Sequence, residues 1–229
     1  MERYRIHAEA AVYYLTYSVV EWLPPTEGLP SPVPTGYSSP PPPITILPME
    51  RYRIHPEAAV YYLTYSVVEW LPVFVSEAAC KLVTDSLTFC YREKHLRINA
   101  YVIMPTHMHL IVFDADCDSE RLVRSLADFR KYTGRQLSDY CTHRGPKCFL
   151  ETLRNQAIAD RERRFWQPSR HPEAILGERF WQQKLDYLHD NPCRKGLVRS
   201  PDHWRFSSAA WYMSDGVKAV DVPLTAIAW

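Results

Sequence analysis

The sequence carries almost no excess charge of either sign. Its 27 Lys and Arg are matched by 26 Asp and Glu, a formal net charge of +1 over 229 residues. Such a chain has no global field to gather a polyanion, so any nucleic-acid surface must come from local clustering. A run of about 18 apolar residues is also missing, so no membrane-spanning helix is expected. The start lacks the charged, apolar and small-residue succession of a secretory signal, and a cytoplasmic location is the expectation. Six cysteines, Cys80, Cys90, Cys117, Cys141, Cys148 and Cys193, include no CxxC pair. That argues against a zinc knuckle and for reduced thiols. What the chain has in quantity is apolar side chains, 46% of the total, ample for a packed core.

An internal repeat stands at the beginning. Met1 to Pro24 returns as Met49 to Pro72 at an offset of 48, with Ala8 replaced by Pro56 as the one change. Solenoid repeats diverge and need several copies to bury a core, so near-identity marks a duplication of the chain's start. Between the copies, residues 25–48 are rich in proline, including Pro40 to Pro43, with Gly and Ser interspersed. This composition favours extended polyproline conformations and reads as a semi-rigid linker. The expected organisation is a duplicated segment at 1–24, the linker at 25–48, one domain at 49–213 and a C-terminal tail at 214–229. Only the second copy runs directly into that domain, so it should occupy the sheet and leave the first as a spare strand.

Within the domain the hydrophobic period switches repeatedly. Ala58 to Trp70 is β-branched and aromatic and reads as a core strand. Ser76 is a candidate N-cap for a helix to about Glu93, with Ala79, Leu82, Val83, Leu87 and Cys90 at helical spacing. His95 to Met104 and His107 to Phe113 read as a hairpin broken at Pro105 and Thr106. Asp118, Ser119 and Glu120 open a helix to about Tyr140, with Leu122, Leu126, Phe129, Thr133 and Leu137 as its buried stripe. Arg163 to Pro168 would supply a fourth strand. From Glu173 onward apolar groups recur at helical intervals, with Phe180, Trp181, Leu185 and Leu188 forming the stripe, until Pro192 ends the helix at Asn191. The order β-α-β-β-α-β plus a helix predicts an α+β, ferredoxin-like split βαβ sheet with a C-terminal helix.

Two places carry chemistry. In a strand, His107 and His109 project from one side, so both imidazoles can reach one cation, while Met108 points into a core. Spacing alone leaves open that they are merely polar residues at a strand end. A zinc hydrolase would need a nearby carboxylate as third ligand and base, and none is apparent. On the later helix, Gln183 or Lys184, Tyr187 and Asn191 share a face beside the apolar stripe. A phenol is a poor nucleophile at its ordinary pKa of about 10 and needs a Lewis acid on the group it attacks. An amide one turn away can complete the shell of a cation held by two histidines. Alternatively, Tyr187 simply packs, as one of 15 tyrosines.

The basic residues Arg121, Arg124, Arg130, Lys131 and Arg135 decorate the 118–140 helix. Arg163 and Arg164, with Lys184 beside the tyrosine, extend a bias that can follow a phosphate backbone. Interspersed acids such as Asp128 and Asp139 leave a solvated helix face as the competing reading for each single residue.

Taken together, His107-Met108-His109, the stretch Gln183 to Val198 around Tyr187 and Asn191, and Trp204-Arg205-Phe206-Ser207-Ser208-Ala209 resemble the REP-associated tyrosine transposases, single-tyrosine HUH enzymes. The resemblance spans about Tyr52 to Tyr212, and three motifs in order are more specific than any one. Thr106 stands where these proteins often carry Asn or Asp, and Cys193 where they usually carry Val. The resemblance implies a nuclease and strand transferase acting on single-stranded hairpin DNA of REP-like palindromes, as a monomer or homodimer. Tyr187 would be the nucleophile forming a 5′-phosphotyrosine, and His107, His109 and Asn191 the ligands of Mg²⁺ or Mn²⁺. A non-catalytic nucleic-acid-binding module and a decayed transposase are the alternatives.

Overall fold

The computed structural model describes residue 54 and residues 59–157, 162–168 and 172–227. The first copy of the repeat and the proline-rich linker lie outside the described residues, as does the start of the second copy. Five α-helices and four strands are described in chain order: β1 Val60–Ser66, α1 Glu77–Glu93, β2 Leu96–Met104, β3 His107–Asp114, α2 Ser119–Arg144, α3 Lys147–Asn155, β4 Glu173–Ile175, α4 Glu178–Arg194 and α5 Ala209–Tyr212. Among the described residues no helix is long and apolar enough to cross a membrane.

The sheet has the order β2-β3-β1-β4 with every neighbouring pair antiparallel. β1 therefore runs parallel to β2 and β3 parallel to β4, and each β-α-β unit is split by a strand of the other. The α+β expectation holds. β1 reads Val60-Tyr61-Tyr62-Leu63-Thr64-Tyr65-Ser66, and all of it is buried. Tyr61, Leu63 and Tyr65 alternate to one face, where they meet Met108, Leu110 and Val112 of β3, Ala79, Val83 and Leu87 of α1, and Leu122, Leu126 and Phe129 of α2. Val60 and Tyr62 face the other way, with Ala100, Val102, Met104 and Ile111, and are covered by Leu185 and Leu188 of α4. β2 contributes to both faces, and the register shift between Ile98 and Ala100 switches the parity, so that Leu96 and Ile98 share a face with Tyr101 and Ile103. The result is two helices on one face of the sheet and the tyrosine-bearing helix on the other.

Several expectations are corrected. Arg163 to Pro168 is not the regular fourth strand; β4 lies at Glu173–Ile175, within the stretch expected to be helical. Both segments lie along one edge of β1. β4 pairs with Val60 to Tyr62, whereas Phe165 and Gln167 bond to the backbone of Val68 and Ser66 and Trp166 bridges Val67. Phe165 and Trp166 are drawn into the core as large apolar groups, which prevents a ladder of their own. Helix α3, which periodicity did not suggest, sits between α2 and this segment. Ser76 does precede α1, but its side chain makes no cap; its hydroxyl accepts instead from Tyr140. Asp118 caps α2 as expected, accepting from the Arg121 amide at 2.9 Å.

Pro192 does not stop α4. The helix continues to Arg194: the proline, lacking an N–H, leaves the Leu188 carbonyl one turn back without its intrahelical bond, and the pattern resumes with Lys195 N–H donating to Asn191 O. Gly196, at φ 68°, closes it: Leu197 N–H donates to Pro192 O and Gly196 N–H to Cys193 O, the double bond of a Schellman ending.

Candidate active site

β3 opens with His107 and His109, which face α4 as the alternation requires, while Met108 enters the opposite core. Their rings lie 4.8 Å apart, centroid to centroid. Tyr187, in the middle of α4, comes edge-on to His109 at 5.8 Å. Residues about 80 positions apart thus meet because α4 is laid across the His side of the sheet by Leu185 and Leu188. Asn191 follows one turn after Tyr187 on the same helix and is buried.

Each imidazole is held at Nδ1 by a threonine hydroxyl. Thr64 Oγ1 lies 2.9 Å from His109 Nδ1, and Thr106 Oγ1 lies 3.0 Å from His107 Nδ1. Thr64 reaches His109 because the two are register partners on β1 and β3. Thr106, in the hairpin turn, occupies the position where Asn or Asp was noted as more usual. Both rings are thereby left with Nε2 for another ligand, and His109 Nε2 is buried with no hydrogen-bond partner among the described residues. An orphaned buried imidazole nitrogen is costly and fits an absent cation.

The electrostatics agree. Burial, with the charge of Lys195 added, lowers the His107 pKa to about 4. Burial, then His107 and Lys184, holds His109 well below its usual range. Neutral imidazoles are the ligating form. Among the described residues no group of three His, Cys, Asp or Glu side chains forms a metal site; an ion held by the two imidazoles would take any third protein ligand from another residue type, such as the Asn191 amide.

Around this centre lie residues the sequence did not single out. Tyr62 stacks on His109 at 5.4 Å and meets Tyr187 at 6.5 Å; burial, then Tyr187, pushes its pKa well above the ordinary value. Trp70 stands edge-on to His107 at 6.0 Å. The Arg194 guanidinium lies over the Tyr187 ring at 5.1 Å. Behind α4, His189 Nε2 lies 2.8 Å from Ser208 Oγ, and Ser208 also bonds Tyr101 on β2 through backbone and hydroxyl. Trp204 Nε1 donates to Ile103 O at 2.9 Å. The Trp204 to Ala209 motif is thus a clamp along the free edge of β2 that grips the tyrosine helix from behind. Its serines and the histidine of the Tyr187 motif were the available signal, legible only once the two motifs are adjacent.

The basic candidates are distributed differently from the His–Tyr centre. Arg121 is tied to Asp114 at 2.5 and 2.8 Å and to Asp116 at 2.6 Å. Arg163 bridges Asp139 and Thr142. Arg130 donates to the Gln167 carbonyl. Arg124 makes a loose 3.4 Å pair with Glu120. Lys131 and Arg135 are exposed, and Arg164 is half-buried. The five candidates on α2 belong to the helix layer on the sheet face opposite Tyr187. Lys184 alone stands in the centre, paired with Glu173 at 2.8 Å and lying over the Tyr62 ring at 4.8 Å.

No family model matches the chain. Among solved structures, one described as a REP-associated tyrosine transposase bound to a REP hairpin aligns over 75% of this chain and 89% of its own, with a TM-score of 0.49 and 19% identity. Among curated proteins, the match to the REP-associated tyrosine transposase of Escherichia coli K12 spans 64% of that protein's length. Over 130 residues, 57% of its own length, the chain is 25% identical to that protein, so the resemblance expected from its motifs holds.

Proposed function

We propose that this chain is a single-tyrosine transposase that nicks and rejoins hairpin-forming single-stranded DNA. The observation that carries the reading is Tyr187 lying against His109, itself beside His107, with the His109 Nε2 left without a partner among the described residues. His107, His109 and Asn191 would hold a Mg²⁺ or Mn²⁺ ion. When bound, the ion neutralises charge on the oxygens of the scissile phosphate and supplies the Lewis acid that a phenol nucleophile needs.

The chain's own residues do the rest. Thr64 and Thr106 hold the Nδ1 atoms of both imidazoles, leaving the two Nε2 atoms to face the ion. Tyr187 Oη attacks the phosphorus; the P–O3′ bond breaks, the tyrosine keeps a 5′-phosphodiester, and the phenolic proton is lost to solvent. The 3′ oxygen leaves and is protonated as a free 3′-OH. Attack by a 3′-OH on the phosphotyrosine restores the phenol and reseals the strand, so the bond energy is conserved without a nucleotide cofactor. Arg194, over the Tyr187 ring, places a cation where charge develops on the phenol. The exposed Lys131 and Arg135, with Arg124, offer positive charge on the far face for a longer DNA stem.

The test is incubation of the purified protein with single-stranded hairpin oligonucleotides and Mn²⁺, followed by a denaturing gel. A covalent protein–DNA adduct is expected, lost with EDTA and with Tyr187→Phe. An adduct that survives Tyr187→Phe sinks the assignment of the nucleophile; binding without any adduct favours a non-catalytic module.

A further inference from the structure

The turn after β1 is strained at the site. Glu69 and Trp70 are consecutive non-glycine residues in the left-handed region, at φ 49° and 52°, a conformation that side chains with a Cβ disfavour. The turn is held from three sides. Val67 N–H donates to Thr106 O, Val68 N–H to Phe165 O, and the Glu69 carboxylate accepts from Gln156 Nε2 at 2.8 Å. What this strain achieves is the placement of one side chain: the half-buried Trp70 indole, edge-on to His107 at 6.0 Å.

An indole beside His107 has two explanations. It is a prop for the imidazole, or it is a platform for something that arrives at the site. His107 already has its anchor in Thr106, so a prop is redundant. An aromatic surface beside a phosphate-handling centre is what an unpaired base at that phosphate can stack on. The sequence could not show this, because Trp70 closes an apolar segment and reads as core.

We propose that Trp70 is the stacking platform for an unpaired base next to the scissile phosphate. This rests on the single-stranded DNA reading above and adds to it the subsite that holds the strand in line. Stacking is tolerant of base identity, so Trp70 secures position and affinity without choosing the sequence.

The experiment uses the full chain and hairpin oligonucleotides in which 2-aminopurine is moved one position at a time through the unpaired flank. At one position the wild type is expected to quench the fluorophore. Trp70→Ala abolishes the quench and weakens binding on the order of tenfold, the usual effect of removing one stacking partner; Trp70→Phe keeps most of both. Mn²⁺ affinity, measured separately by titration without DNA, stays unchanged in both variants. Wild-type adduct formation with no quench at any position, or binding unaffected by Trp70→Ala, overturns the subsite and leaves the nuclease reading standing. Loss of Mn²⁺ affinity in Trp70→Ala makes the indole a prop for His107 and also overturns it. A wild type that binds no single-stranded DNA ends both readings.

Discussion

At the scale of single residues, the informative pair is Thr64 and Thr106. Neither hydroxyl is positioned to touch a ligand at the histidine Nε2 atoms, yet each decides which imidazole nitrogen is presented. Replacing Thr64 by Val keeps the shape of a buried β-branched side chain and removes only the hydroxyl at His109 Nδ1. The expected outcome is a 10- to 100-fold weaker Mn²⁺ affinity, the range seen for outer-shell partners of metal-bound histidines, with the thermal midpoint lowered by a few degrees because the buried Nδ1 loses its partner. Isothermal titration with Mn²⁺ checks it, and an unchanged affinity would mean the hydroxyl has no part in orienting the ring. Arg121 makes the opposite case. Bonded to both oxygens of Asp114, whose pKa its hydrogen bonds and two backbone amides hold down to about 2, it is a structural cation. Arg121→Ala should lower the thermal midpoint and leave DNA affinity within about twofold of wild type, since charges off a binding surface change little there. A large loss of DNA binding in a stably folded Arg121→Ala protein would restore it to the DNA surface.

At the scale of elements, the strands and their faces were largely legible in the sequence, and the reasons are specific. His107, Met108 and His109 alternate in a strand, so the partition of histidines from methionine follows from the period of two alone. The α1 and α2 stripes were readable for the same kind of reason. What was not legible depended on partners far away. Glu173 to Ile175 has the apolar density of a helix start and becomes a strand because the edge of β1 at Val60 to Tyr62 is open to it. Pro192 looked like a stop because a proline removes one bond from the preceding turn, yet the helix carries on past it to Arg194. His189 could not be placed until Ser208 stood opposite.

That histidine makes the attachment of α4 sensitive to pH. Burial lowers its pKa from 6.5 to about 4, so the folded protein keeps it neutral where the unfolded chain already takes up a proton. With a folded pKa below the unfolded one, stability is full above about pH 6.5 and falls as the pH drops towards 4; for this group alone the loss reaches about 3 kcal/mol. His107 and His109 are lowered by burial as well and add to the same slope in the absence of an ion. The thermal midpoint of the metal-free protein should therefore decline steadily from pH 6.5 to 4. His189→Gln, which retains a hydrogen-bonding side chain and cannot titrate in this range, should flatten part of that decline. An identical pH profile in the variant would show that the clamp on α4 does not carry the dependence.

At the scale of the whole molecule, the question is what the duplicated start contributes. The described residues all fall within one compact unit, Ile46–Trp229. Within that unit, β1 is built from the second copy: Val60 to Ser66 pair with β3 along their full length and with β4 at their start, and the side chains that line the candidate site from this strand are Tyr62 and Thr64. The described core draws on residues from Ile54 onward. A chain beginning at Met49 has every residue that these contacts use. It should fold with a thermal midpoint within about 3 °C of the full chain's, the shift that ~1 kcal/mol produces in a chain of this size. It should also form the same DNA adduct at the same rate, because none of the proposed ligands, the nucleophile or Trp70 lies before residue 49. Side-by-side melting curves and adduct time courses decide the matter. A truncated protein that melts normally but reacts faster would show that the first copy restrains the site, as expected of a decayed transposase; one that melts much lower would show that the first copy is part of the fold.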